Sequence, residues 1–132
     1  MNSDINAKKK DIAEIAKKYG LDMVVLFGSQ ATGALHSKSD IDIAVINMND
    51  SDRFKVYGDF CALLKREDIE IVNISNASPT LMYSVVRDGV LIYEKKESDF
   101  FRWKIYAMWI WRDTKWLRDL RDKKLIEWAK TT

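Results

Sequence analysis

The sequence predicts an α/β fold, a small sheet flanked by helices, from three observations. Short apolar runs alternate with segments of helical period, turn residues fall between them, and neither a repeat nor a linker divides the chain. Its 132 residues are 47% apolar and 32% charged with a single Pro, enough for one core and against disorder over any long stretch. A single domain over residues 1–132 is expected, with its core at about 20–95 and an aromatic, basic helical segment at about 98–130. The first residues are polar and lack the apolar centre of a signal peptide, and no run is long enough to span a bilayer. The expectation is therefore a cytoplasmic protein with no membrane partner. Cys61 stands alone among Phe60, Ala62 and Leu63, which suits a buried thiol.

Taken in order, Ile5, Ile12, Ile15, Ala16 and Tyr19 recur at helical spacing, and Gly20 supplies the stop. The run Met23–Phe27 is apolar and partly β-branched, as in a buried strand, and Gly28 and Ser29 follow it where a short helix is expected to open. Residues 39–46 form the second predicted strand, with Asp40 and Asp42 on one face and Ile41, Ile43 and Val45 on the other. Asp50 or Ser51 can cap a helix carrying Phe54, Tyr57, Phe60 and Leu64. A third strand spans 68–74 and is interrupted by Glu70. Ser78 as N-cap, Pro79 at the first helical position and Gly89 at the end delimit another helix, before a fourth strand at 90–93.

The chemistry concentrates between residues 28 and 42. Gly28 lets a phosphate approach the backbone with no Cβ in the way, and Ser29 adds a hydroxyl beside main-chain N–H groups. Two carboxylates on one strand face repel by roughly 2–4 kcal/mol at an effective dielectric near 20, and a divalent cation turns that into attraction. Mg²⁺ suits such oxygen ligands, keeping water and substrate phosphate in the rest of its shell. Glu70, polar within an apolar strand, could complete the metal site and accept a proton from an attacking hydroxyl. His36, the only histidine, falls in the polar loop between cradle and carboxylates.

The spacing Gly28-Ser29, ten residues, Asp40-Ile41-Asp42, with a later strand carboxylate, resembles the minimal nucleotidyltransferases of the DNA polymerase β superfamily. The likeness covers about Met23 to Glu94. It implies a nucleotidyltransferase-fold domain with a mixed sheet and, at the end, a long C-terminal helix. Within the superfamily the chain is most similar to the small antitoxin subunits paired with HEPN-domain toxins, and that resemblance implies a role for each matching residue. Gly28, Ser29 and Ser39 would hold the nucleotide; Asp40, Asp42 and Glu70 would be catalytic and would bind Mg²⁺. The implied reaction transfers AMP from ATP to a hydroxyl, expected to be tyrosine, of a HEPN-type ribonuclease toxin held in a hetero-oligomer. The family usually has Asp where this chain has Glu70, and many relatives have Arg in the loop where it has Gln30 and Thr32 before Gly33. Two alternatives share these residues: transfer to a small hydroxylated molecule such as an aminoglycoside, and an antitoxin that neutralises by binding alone.

The last third has another character. From Asp99 onward there are nine Lys or Arg and five Asp or Glu, a local +4 that leaves −2 for residues 1–98 of a chain whose net charge is +2. All five tryptophans are here, and no Gly or Pro interrupts, so a long helix with a break near Asp122 is expected. Trp103, Ile110 and Leu117 form one track that can cover the sheet, Trp109 and Trp116 form a second, and Trp111 falls outside both. Three readings stay open: a wide face that completes the core, a protein interface, or contact with RNA, which the small net charge disfavours as a direct ligand.

Overall fold

In the computed structural model, residues 5, 7–28 and 41–131 are described. Helix α1 (Lys9–Tyr19) buries Ile12 and Ala16 and ends at Gly20, whose φ of +67° is the left-handed stop expected there. Strand β1 (Met23–Phe27) is buried along its whole length, and β2 (Ile41–Ile46) alternates as a strand with one fully covered face. Then follow α2 (Arg53–Leu64), β3 (Ile69–Asn73), α3 (Pro79–Asp88), β4 (Val90–Glu94), α4 (Asp99–Asp113) and α5 (Lys115–Thr131).

The four strands lie in the order β3-β2-β1-β4. β1 runs antiparallel to both β2 and β4, whereas β2 and β3 are parallel, so the sheet is mixed. The parallel pair is joined through α2, the kind of crossover that parallel strands require. Helices cover both faces. On one side Ile12 and Ala16 of α1 and Val56 and Phe60 of α2 meet Val24, Leu26, Ile41, Ile43, Val45, Ile69 and Ile71. On the other, Val85 of α3 and Phe100 of α4 meet Met23, Val25, Phe27 and Ala44. Period-two alternation thus sends odd residues of β2 to the first core and even residues, Asp42 among them, toward the second.

Local signals account for most of the ends. Ser78 Oγ accepts from Leu81 N at 3.2 Å with Pro79 at the first helical position, and Gly89 N donates to Val85 O at 2.7 Å. The Glu94 carboxylate accepts from Ser98 N at 3.1 Å and Phe100 N at 2.9 Å, tying the start of α4 to the end of β4. Three expectations need correction. Asn49, not Asp50 or Ser51, provides the cap: its Oδ1 accepts from Ser51 N at 3.1 Å and opens a 3-10 turn over Asp50–Asp52, after which α2 begins; Phe54 points outward and is 88% exposed. Cys61 is half-buried, against the edge of the first core. The C-terminal helix breaks at Thr114 and runs unbroken through Asp122. Thr114 Oγ1 donates to Ile110 O at 2.7 Å, competing with the main-chain ladder as threonines in helices do.

On α4 the buried or half-buried apolar positions are Phe100, Trp103, Ala107, Ile110 and Trp111, one helical face against α3 and the sheet. Leu117, expected to continue that track, is 48% exposed because the turn at Thr114 takes it away from the sheet. No residue of α5 is buried. Among the described residues, no helix is long and apolar enough to cross a membrane.

Candidate active site

The carboxyl end of β1 and the amino ends of β2 and β3 meet at one end of the sheet. Phe27, the last residue of β1, pairs with Asp42 of β2, and Asp42 pairs with Glu70 of β3. Residues in register share a face, so Asp42 and Glu70 emerge side by side on the α3/α4 side, at the rim of the second core. Asp42 is half-buried and Glu70 exposed.

Gly28 comes directly after Phe27 with φ +77°. A Cβ built at this position would lie 2.3 Å from Asp42 Oδ2, far inside contact distance. Residue 28 is therefore glycine for two separate reasons: its backbone is left-handed, and the Asp42 carboxylate occupies the space of a side chain. The carboxylate is thus aimed at the bend that follows β1.

A brace fixes the start of this strand pair. Arg66 Nε donates to Asp68 Oδ1 at 2.7 Å and its Nη2 donates to Asp68 Oδ2, a two-point fork. Arg66 beside it holds the Asp68 carboxyl below the ordinary carboxylate value. The main-chain carbonyl of Asp68 accepts from Ile41 N at 2.9 Å, so the residue held by Arg66 also fixes the residue before Asp42. Sequence reasoning did not single out Arg66; an Arg two residues before an Asp that opens a strand was its only signal.

Of the residues picked out from sequence, the fold brings Gly28, Asp42 and Glu70 to one place. Ser29, Gln30, Thr32, Gly33, His36, Ser39 and Asp40, and the short helix expected after Gly28, lie outside the described residues. Among the described residues no group of three or more His, Cys, Asp and Glu could hold a metal ion; the pair Asp42 and Glu70 is what the described part contributes. Carboxylates at the inter-strand spacing of about 5 Å repel by roughly 3 kcal/mol at an effective dielectric of about 20. Hard oxygen donors so placed, one half-buried and one open to water, fit a Mg²⁺ ion that also keeps water and phosphate ligands.

The profile of the family described as "Polymerase beta, Nucleotidyltransferase" matches residues 10–98. A relative, the protein adenylyltransferase MntA of Aphanizomenon flos-aquae (strain 2012/KM1/D3), is 32% identical over 94 residues, covering 61% of this chain and 61% of its own length. The chain thus spans about three fifths of the length of that curated relative. Among solved structures, one chain of a toxin–antitoxin complex with AMP-PNP superposes with a TM-score of 0.76 at 22% identity, over 89% of this chain and 98% of the other. One from a complex of the tri-AMPylated Shewanella oneidensis HEPN toxin with its MNT antitoxin gives a TM-score of 0.72 at 20% identity, over 92% and 98%. At these identities the superpositions establish the shared fold.

Proposed function

The chain belongs to the polymerase beta nucleotidyltransferase family, and from that premise we propose that it is an antitoxin that transfers AMP from ATP to a tyrosine hydroxyl of a HEPN-type toxin. The observation that carries this reading is the register that sets Asp42 between Gly28 and Glu70 at the sheet end. Likeness to a protein adenylyltransferase, and to chains from toxin–antitoxin complexes, supports a protein acceptor and the partner.

In this mechanism Gly28, Ser29 and Ser39 receive the triphosphate, with backbone N–H groups and serine hydroxyls as the donors suited to an anion. Asp40, Asp42 and Glu70 would hold Mg²⁺, which when bound would neutralise negative charge developing in the reaction. The toxin hydroxyl bonds to the α-phosphorus while the bond to pyrophosphate breaks. Its proton passes to Glu70, which is exposed where Asp42 is half-buried. Holding the two reactants in line lowers the barrier further without additional chemistry from the protein. A reaction that consumes ATP suits a cytoplasmic location.

The test is incubation with α-labelled ATP, Mg²⁺ and the protein encoded by the adjoining reading frame, since toxin and antitoxin genes are commonly paired. Label is expected on a tyrosine of that protein. Asp42→Asn or Asp40→Asn lowers the transfer by roughly 10³-fold, the scale of removing one group that stabilises developing charge. Full transfer by Asp42→Asn removes that residue from the mechanism, and label on an added aminoglycoside instead would move the acceptor to a small molecule.

A further inference from the structure

Eleven of the thirteen exposed large apolar side chains among the described residues belong to α4 and α5; only Phe54 and Val90 lie elsewhere. From their fractional exposures they present on the order of 1000 Å² of surface in total, spread over the two helices. Four of them, Phe101, Ile105, Met108 and Trp109, line an opening between the two helices. The two helices enclose a groove of about 1020 Å³, with Phe101, Ile105, Met108 and Trp109 of α4 on one side and Lys115, Arg118 and Asp119 of α5 on the other. A helix with its side chains is 10–12 Å across and rises 5.4 Å per turn, so the groove has room for roughly two turns.

The angle between the helices is built in. Trp111 stacks on Tyr83 of α3 with ring centroids 4.3 Å apart, and the Arg118 guanidinium lies over the Trp111 ring, 3.3 Å from its centroid. Arg118 Nη1 also donates to Thr114 Oγ1 at 2.9 Å. Seven residues separate Trp111 from Arg118, a helical repeat carried across the elbow. The groove is therefore held open by the chain itself, which reduces the ordering that binding would require.

Charge selects the occupant. Lys104, Arg112, Lys115, Arg118 and Arg121 line the groove against Asp119 and Asp122. A second copy of this chain would bring a segment of the same positive sign against it. A nucleic acid would meet the two aspartates facing the same opening, with Lys115 already paired to Asp119 at 2.7 Å. The five cations against two carboxylates leave a net positive lining that complements a helix with acids only on its flanks, which can keep clear of the two aspartates as a continuous row of phosphates cannot.

We propose that the groove between α4 and α5 docks an amphipathic helix of the HEPN-type partner, its apolar face in the groove and its flanks carrying Asp and Glu; this rests on the partner named above. Calorimetry of the full chain with the product of the adjoining reading frame tests it, comparing wild type with Ile105→Glu/Trp109→Glu, with Lys104→Glu/Arg112→Glu, and with Phe54→Glu on α2. The first double variant is expected to bind at least 30-fold more weakly and the second about 10-fold more weakly, while Phe54→Glu matches wild type. AMP-PNP affinity stays unchanged in all of them, because no altered residue belongs to the nucleotide site. Wild-type affinity in both groove variants overturns the proposal and leaves the transferase reading intact. A groove-dependent complex without AMP transfer sustains the proposal and overturns the transferase reading. Two other results overturn it: a homodimer in light scattering that Ile105→Glu/Trp109→Glu dissociates, or binding of a fluorescent single-stranded RNA that the same variant abolishes.

Discussion

The sheet-centred body and the C-terminal helix pair use apolar side chains in opposite ways. In the body, β1 is covered on both faces and each flanking helix turns its apolar stripe inward. In α5, six large apolar side chains, among them Trp116 and Trp128, face solvent and none is buried. Apolar surface drives folding only where the chain itself can cover it. The body's sequence, with the inner face of α4, is accordingly constrained by its own fold, whereas the exposed apolar side chains of α4 and α5 are not.

The contrast is broken most directly by truncating one large side chain from each region. Phe60 is fully buried between α2 and the sheet, so Phe60→Ala is expected to cost about 3–5 kcal/mol in urea unfolding, lost transfer energy plus a cavity. Trp128→Ala, at 66% exposure, is expected to change stability by no more than about 0.5 kcal/mol. A comparable loss from both would mean that α5 is part of the core after all.

A second pair separates the site from mere backbone geometry within the body. Gly20 and Gly28 have nearly the same positive φ, +67° and +77°, so alanine strains either by about 1–2 kcal/mol. They differ in surroundings: nothing lies within 4 Å of a Cβ at 20, whereas one at 28 strikes the Asp42 carboxylate. Gly20→Ala should lower stability and leave AMP transfer unchanged. Gly28→Ala should lower transfer roughly 100-fold, about 2.7 kcal/mol in the barrier, by displacing Asp42. Equal activity in the two variants would show that the position of Asp42 is unimportant to the reaction.

What could be read from the sequence follows the same division. Met23–Phe27 was legible because five consecutive apolar residues lie between Asp22 and Gly28, and α3 because Ser78 and Pro79 are local signals that need no tertiary partner. The spacing from Gly28 to Asp42 was legible for the same reason, but that the two meet at the end of β1 is a matter of strand pairing. Pairing was less so. That β4 joins β1 antiparallel at an edge, and that Glu70 falls level with Asp42 rather than one residue off, depends on how α2 and α3 carry the chain over the sheet. Thr114 gave no warning of the elbow, because a threonine is tolerated inside helices and breaks one only when its hydroxyl finds a carbonyl, here that of Ile110. The tryptophan surplus was visible, yet its division between a stacked Trp111 and an exposed Trp109 needed the elbow to be known.

The smallest expected effect lies where charges, not apolar groups, distinguish the two regions. Tyr19 Oη donates to Asp59 Oδ2 at 2.8 Å and Lys18 Nζ does so at 3.2 Å, linking α1 to α2 across forty residues of chain. In α5 the Lys115–Asp119 pair lies within one helix, one turn apart, and links nothing else. The Tyr19 hydroxyl, then Lys18, holds the Asp59 carboxyl below its ordinary value of 3.8. A carboxyl depressed on folding adds stability that is fully present above 3.8 and is lost as pH falls below it through the folded-state value. Thermal melts of wild type and Asp59→Asn should therefore differ at pH 5–7, by at most about 4 °C for a solvent-screened pair, and converge as the acid range is entered. Asp119→Asn should track wild type throughout, since its partner is local and both side chains are mostly exposed. A larger acid effect from Asp119 than from Asp59 would mean that α5 is anchored by charge to a part of the body it does not touch in this structure.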